Sequence, residues 1–321
     1  MNTHTCRMLA AFVVVTPISA QAVSTDSGYS YPNKPIRIVT SGIGGGADVG
    51  SRLFVPLLNF GQQLVIENRA SGVIPGEIVS RANPDGYTLL IYSSTLWIGP
   101  LLQKTPYDAV RDFAPVVWIS RAPNLIVVHP SLPINSVKEL IAYAKANPGK
   151  LNYASGSSGS SNHLAAELFK SMAGVNLVRI AYKSGALQMA DLVGGQVQMM
   201  FPNAGSVAPH TKSGRLRTLA VTSAEPSALL PGVPTVAASG LAGYESISMV
   251  GMWAPARTPR VLINRLNQES VRALKSSEAR ERYLNVGVEL VGGTPEAFAA
   301  YIKSDVARWT KLIKEAGIRD E

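Results

Sequence analysis

Residues 36–52 read IRIVTSGIGGGADVGSR. Ile36, Ile38 and Thr40 form an alternating β-branched run, Gly42 to Gly46 are loop formers, and Asp48 opens an apolar-periodic helix. The stretch therefore predicts a strand, a glycine loop and a helix start. Glycines let backbone N–H groups approach a ligand closely, and a helix N-terminus adds partial positive charge, so the natural guest is an anion, phosphate or carboxylate. At the helix start Asp48 reads as an N-cap that leaves the remaining amides for that guest.

The same loop satisfies the loosened dinucleotide pattern G-x-G-x-x-A through Gly42, Gly44 and Ala47, with Glu67 ending the next strand where a ribose-binding acid would stand. The N-terminus argues against that reading. MNTHTCRMLAAFVVVTPISAQA has an early Arg7, a short apolar run from Met8 to Val15 and a small-x-small site at Ala20-Gln21-Ala22, the pattern of a secretory signal peptide over residues 1–22. No later segment approaches the ~20 apolar residues of a membrane span. An exported protein rarely meets free NAD, so no cofactor is expected.

Cys6 is the only cysteine and lies in the segment expected to be removed, which leaves no thiol for a disulfide, a zinc site or a nucleophile. No metal site is expected. Roughly 300 residues suffice for a core without staples. The formal net charge is +9, of which Arg7 supplies one, leaving +8 once residues 1–22 are gone. The charges are scattered singly, without basic clusters interleaved with aromatics, so nucleic acid is not an expected partner.

After a polar leader at 23–32, strands are expected at 36–40, 63–68 and 87–92, with helices between them and a Pro-Asp-Gly turn at 84–86. Pro56 kinks or shortens the first helix. The third strand ends in Ser93-Ser94-Thr95, and ligands of open α/β sheets sit outside such strand ends. Residues 116–130 are an apolar stretch, and Ser136 to Glu139 form a capping box opening a helix to Ala146. The pattern then restarts, with strands at 151–155, 177–182 and 197–201, helices at 163–173 and 186–193, and a further strand at 218–223. This repetition predicts a second α/β domain facing the first across a cleft. Apolar residues 248–255 return the chain to the first domain, and three helices follow, the last opened by Thr294-Pro295 with a stripe of Phe298, Ile302, Val306, Trp309 and Ile313.

The loop SGSSGSSNH at 155–163 is the second informative stretch. Its serine hydroxyls and the amides of the helix it opens suit a carboxylate. A serine hydrolase is the rival, but Gly156 and Gly159 are three apart, so no G-x-S-x-G is formed; His163 reads as a first-turn helix residue.

Taken in order, YPNKPIRIV (31–39), ENRA (67–70), PDGYTLL (84–90), PYDAVRDFAPV (106–116) and HPSLPINSVKELI (129–141), then PGKLNYAS, HLAAELFKSMAGV, YKSGA, DLVGGQVQMMF, RLRTLAVTS, LLPGVPTV, WAPARTP and VGGTPEAFAAYIK, resemble the substrate-binding proteins of tripartite tricarboxylate transporters, the Bug-type receptors. The resemblance implies a type II periplasmic binding fold: two α/β lobes with a ligand cleft between them and two crossover segments. It implies lobe 1 over 23–120, lobe 2 over 121–248, and a return to lobe 1 with C-terminal helices over 249–321. It also implies a monomeric periplasmic receptor, not an enzyme, that closes over a small carboxylate and delivers it to membrane permease subunits. One wall of its site would be Gly44, Gly45, Ala47 and Asp48 with Ser93, Ser94 and Thr95. The other would be Ser157, Ser158, Ser160 and Ser161 with Tyr182, Lys183 and Ser184, and Asn203 beside Pro202 joins the set. Lys183 reads equally as a counter-ion or a solvated charge, and Trp253 as hinge core.

The departures bear on the ligand. Ser41, Gly42 and Ile43 replace the family's usual aromatic and prolines; the loop Ser71 to Gly76 is short; and Pro202 stands where many relatives carry an Asp suited to an amino group. The expected ligand therefore lacks an amino group: a di- or tricarboxylate or an aromatic acid. The alternatives are an exported hydrolase or dinucleotide enzyme using the serines, His163 or the glycine loop, and a receptor feeding a signalling partner.

Overall fold

The computed structural model describes residues 31–318 apart from 71, 228 and 229. The expected signal peptide at 1–22, Cys6 within it, the leader up to residue 30 and Ser71 lie outside the described residues.

The first part of the chain runs β1 (Ile36–Thr40), α1 (Gly46–Phe54), β2 (Leu64–Asn68), α2 (Ile74–Ser80), β3 (Thr88–Tyr92), α3 (Thr95–Leu102) and β4 (Phe113–Pro123). The second runs β5 (Leu125–Val128), α4 (Val137–Ala146), β6 (Asn152–Ser155), α5 (Ser161–Ala173), β7 (Val178–Ala181), α6 (Gly185–Val193), β8 (Met199–Met200), α7 (Ala204–Lys212) and β9 (Arg217–Val221). The chain then continues as β10 (Ile247–Pro255), α8 (Arg260–Leu274), α9 (Ser277–Leu284), β11 (Glu289–Gly292) and α10 (Pro295–Ala316).

Two sheets result, ordered β11-β4-β10-β3-β1-β2 and β7-β6-β8-β5-β9. Each has a parallel trio, β2-β1-β3 in one and β7-β6-β8 in the other, continued by antiparallel strands. The chain passes between the sheets twice. Asn124 alone separates β4 from β5, so the apolar stretch at 116–130 is one strand from each sheet. The return passes through Thr222 and Ser246, which sit beside Asn124: Thr222 N–H donates to Asn124 O (2.9 Å), its hydroxyl reaches Ser246 O (2.6 Å), and Ser246 N–H donates to Thr222 O (2.8 Å). The two crossings are thus tied to each other between the sheets.

Each sheet has its own core. Tyr153, Phe169, Phe201 and Tyr244 fill the second. Trp97, Trp253 and Phe298 fill the first, with Trp253 centroids 5.9 Å from Trp97 and 5.0 Å from Phe298. Trp253 is therefore core and not cavity wall. Each such side chain contributes ~1.5–3 kcal/mol by burial. The expected stripe of α10 packs here, with Phe298, Ile302 and Trp309 buried and Val306 and Ile313 against the same cluster.

Two local departures and one expected shortening have physical reasons. Gly45, not Asp48, is the N-cap of α1. Asp48 lies in the first turn, and its Oδ2 accepts the Gly44 N–H (2.9 Å), the backward reach an acid makes in a capping box. As expected from Pro56, α1 stops at Phe54 and residues Val55–Leu57 make a 3-10 turn. Helices α3 and α7 were not expected, because Pro100 and Pro209 lie inside them and neither has an amphipathic period.

Candidate functional site

Of the six loops that lead from a parallel strand into a helix across the two sheets, all but that of β2 open on one cavity: β1 to α1, β3 to α3, β6 to α5, β7 to α6 and β8 to α7. The cavity measures about 70 Å³ and lies outside the carboxyl ends of these strands, where crevices form in open α/β sheets. Gly45 and Gly46, Thr95, Ser160 and Ser161, Gly185, and Asn203 bring five helix N-termini to its wall. First-turn amides have no intrahelical acceptor. On α1 and α5 no N-cap side chain takes them, so Gly46 and Ala47 of α1 and Ser161 and Asn162 of α5 keep donors at the cavity wall, whereas on α3 the first three amides go to Ser93 Oγ (3.4 Å), Ser93 O (3.1 Å) and Ser94 O (3.1 Å).

Among the described residues no Asp, Glu, Lys, Arg or His lines this cavity. Of the expected set, Gly44, Gly45, Ala47, Ser93, Thr95, Ser157, Ser160, Ser161 and Asn203 are brought together in the lining. The others are placed elsewhere. Asp48 is buried behind α1, its Oδ1 accepting from Arg52 Nε (3.0 Å) and Asn68 Nδ2 (2.7 Å). Ser94 is the buried N-cap residue of α3, with its carbonyl accepting from Ile98 N (2.9 Å). Ser158 Oγ accepts from Arg179 Nη1 (3.1 Å). Tyr182 donates its hydroxyl to Asp191 (2.7 Å), Lys183 is exposed, and Ser184 caps α6 by accepting from Leu187 N (3.4 Å). Glu67, the acid of the dinucleotide alternative, is instead paired with Arg37 and Arg69, which hold its carboxyl below the usual carboxylate range.

Residues outside the expected set also line the wall, among them Ser41, Tyr92, Asn162, Gln188, Met200, Ser206 and Ser248. Ser41 Oγ is buried with no hydrogen-bond partner. Tyr92 ties the short second loop to the site, its hydroxyl donating to Gly72 O (2.9 Å) and accepting from Gly72 N (3.0 Å). Gln188 lies in the second turn of α6, where no motif marks it. Behind the serine loop the Arg179 guanidinium donates to Ser155 Oγ (2.8 Å) and Gly156 O (3.1 Å), setting a positive charge under the loop without reaching the cavity. His163 lies beneath the same loop; its Nδ1 accepts the Gly159 N–H (3.2 Å) and burial, helped by Arg179 and Lys170, pushes its pKa down to about 3. It is thus a neutral acceptor holding the loop.

The two halves touch on both flanks of the cavity. Ala186 N–H donates to Ile43 O (3.4 Å) on one side, and Thr95 Oγ1 donates to Gly159 O (3.4 Å) on the other. The lobes are closed on each other in this conformation.

The family model described as tripartite tricarboxylate transporter family receptor matches residues 58–318. Protein BugT of Bordetella pertussis is 34% identical over 325 residues, covering 99% of this chain and 98% of that protein. Among solved structures, R. palustris Rpa4515 with adipate is 35% identical with a TM-score of 0.87, covering 90% of this chain and 99% of that one. Periplasmic binding protein BugD is 32% identical with a TM-score of 0.86, covering 91% and 100%. MatC from Rhodopseudomonas palustris with bound malate is 25% identical with a TM-score of 0.84, covering 88% and 100%.

Proposed function

The chain belongs to the tripartite tricarboxylate transporter receptor family, and from that premise we propose that it is an exported, periplasmic receptor without catalysis that closes over an aliphatic dicarboxylate lacking an amino group and presents it to membrane permease subunits. The observation that carries this reading is the convergence of five helix N-termini on a cavity lined, among the described residues, by no Asp, Glu, Lys, Arg or His. A buried carboxylate is costly unless its oxygens are hydrogen-bonded. Amide and hydroxyl donors to an anion contribute ~1.5–3 kcal/mol each, and each helix end adds ~0.3–1 kcal/mol. An ammonium group finds no counter-charge in such a wall, as the absence of an acid at Pro202 already suggested.

Size limits the guest to a small carboxylate. At ~10–15 Å³ per water on this measure, the 70 Å³ cavity holds about five to seven waters, or roughly 150–200 Å³ of liquid. Adipate and malate, named with two of the similar structures, are therefore the first candidates. Closure needs only differential affinity: a ligand held by both lobes in the closed state and by one in the open state shifts the population to closed.

A thermal-shift and calorimetric panel of adipate, malate, citrate, benzoate, aspartate and glutamate tests the reading. A selective rise with an aliphatic dicarboxylate is expected, because a ligand binding only the folded state stabilises it by ~2.7 kcal/mol at a hundred times its dissociation constant. Preferential binding of aspartate or glutamate would overturn the ligand class.

A further inference from the structure

Two carboxamides in the cavity wall are locked in one orientation by backbone groups. Asn162 Oδ1 accepts the backbone N–H of Gly156 (3.2 Å) and of His163 (3.0 Å), together with the Ser160 hydroxyl (2.6 Å). A backbone N–H only donates, so this atom is the oxygen and Asn162 Nδ2 is the donor. That Nδ2 donates to Gln188 Oε1 at 2.8 Å. The orientation of Gln188 follows: its oxygen faces α5 and its Nε2 amide, with no partner among the described residues, is left as a donor on a side chain only 4% exposed in the cavity wall. Asn203 repeats the arrangement independently, since its Oδ1 caps α7 by accepting from Ser206 N (3.0 Å) and so turns Nδ2 away from the helix.

We propose that Gln188 is a specificity-determining residue that donates to a carboxylate oxygen of the ligand, with Asn162 as the positioning residue that fixes its polarity. The proposal rests on the receptor reading above. With the side-chain amide oxygens of Asn162, Gln188 and Asn203 taken by protein donors, the wall presents amide hydrogens and hydroxyls and, among the described residues, no carboxylate. It bonds carboxylate oxygens and supplies no counter-charge to an added ammonium group, whose buried charge would stay unpaired. This selectivity is set across the cleft floor between α5 and α6, two helices of the same lobe, so it is in place before the lobes meet.

The test is calorimetric titration of the signal-peptide-free protein with adipate and with its amino counterpart 2-aminoadipate. Gln188→Leu, which keeps the bulk and removes the donor, is expected to weaken adipate binding about 10- to 100-fold. Gln188→Glu is expected to weaken adipate further and to narrow or invert the preference over 2-aminoadipate. Asn162→Ala releases the orientation, and in a double-mutant cycle with Gln188→Leu the two losses are expected to be non-additive, the double variant binding no worse than Gln188→Leu alone. Adipate affinity unchanged in Gln188→Leu, or additive losses in the cycle, would overturn the proposal while leaving the receptor reading intact. A wild-type protein that binds no dicarboxylate would overturn both.

Discussion

Asp48 would repel an anion if its carboxylate faced the cavity. Buried to 2% exposure, it instead spends both oxygens on Gly44 N, Arg52 and Asn68, so the acid organises from behind the glycine loop that lines the cavity. Removing one partner of a buried charged network costs ~3–5 kcal/mol. Asp48→Ala is therefore expected to lower unfolding stability by about 3 kcal/mol in urea titration. His163 makes a complementary prediction. Its folded pKa of about 3 lies below the ordinary 6.5, so the folded state resists a proton that the unfolded chain takes up. Its contribution to stability is fully present above pH 6.5 and is lost as pH falls toward 3. His163→Asn, which keeps an acceptor for Gly159 N–H, is expected to flatten the urea midpoint against pH over that window.

At the scale of elements, the first turn of α6 meets the glycine loop before α1 with no room to spare. A Cβ at Gly185 would lie 2.2 Å from Gly44 O and 2.9 Å from Gly45 N. Gly185 itself occupies an ordinary helical position, where alanine is the better helix former by up to ~1 kcal/mol. Gly185→Ala is therefore expected to fold normally and to fail in closing: adipate binding falls at least tenfold, and small-angle scattering shows no compaction with adipate. Gly99→Ala on the opposite seam is the control, because its Cβ would meet only Ser158 O at 3.9 Å and Thr95 Cγ2 at 4.0 Å, ordinary contacts that leave closure intact.

At the scale of the molecule, the scattered excess of basic residues lies away from the cavity, since among the described residues no Lys or Arg lines it. Exposed charges act across solvent and are screened within ~10 Å at 0.1 M salt, whereas enclosed amides and helix ends are screened far less. Raising sodium chloride from about 0.05 to 0.5 M is accordingly expected to change the adipate dissociation constant by less than about threefold. A tenfold or larger loss would instead assign the grip to an exposed cation such as Lys183.

Period-two runs, glycine loops and capping residues are local, and for that reason residue order alone was enough to read the strand–loop–helix repeats, the return of residues 248–255 to the first sheet, the C-terminal helices and the two loops that meet at the cavity. Its reach ended where positions depend on burial from all sides: α3 is apolar around its circumference and α7 carries an internal proline, so neither announces that its N-terminus joins the site. Tertiary structure alone decided which serines face the cavity and which face Arg179, turned Asp48 inward, and brought Gln188 and Ser248 to the wall from parts of the chain with no motif. The physical reason is that hydrogen-bond partners are chosen by proximity after packing. A side chain's chemistry is written in the sequence, and the direction in which it points is fixed only when its neighbours have claimed their own donors and acceptors.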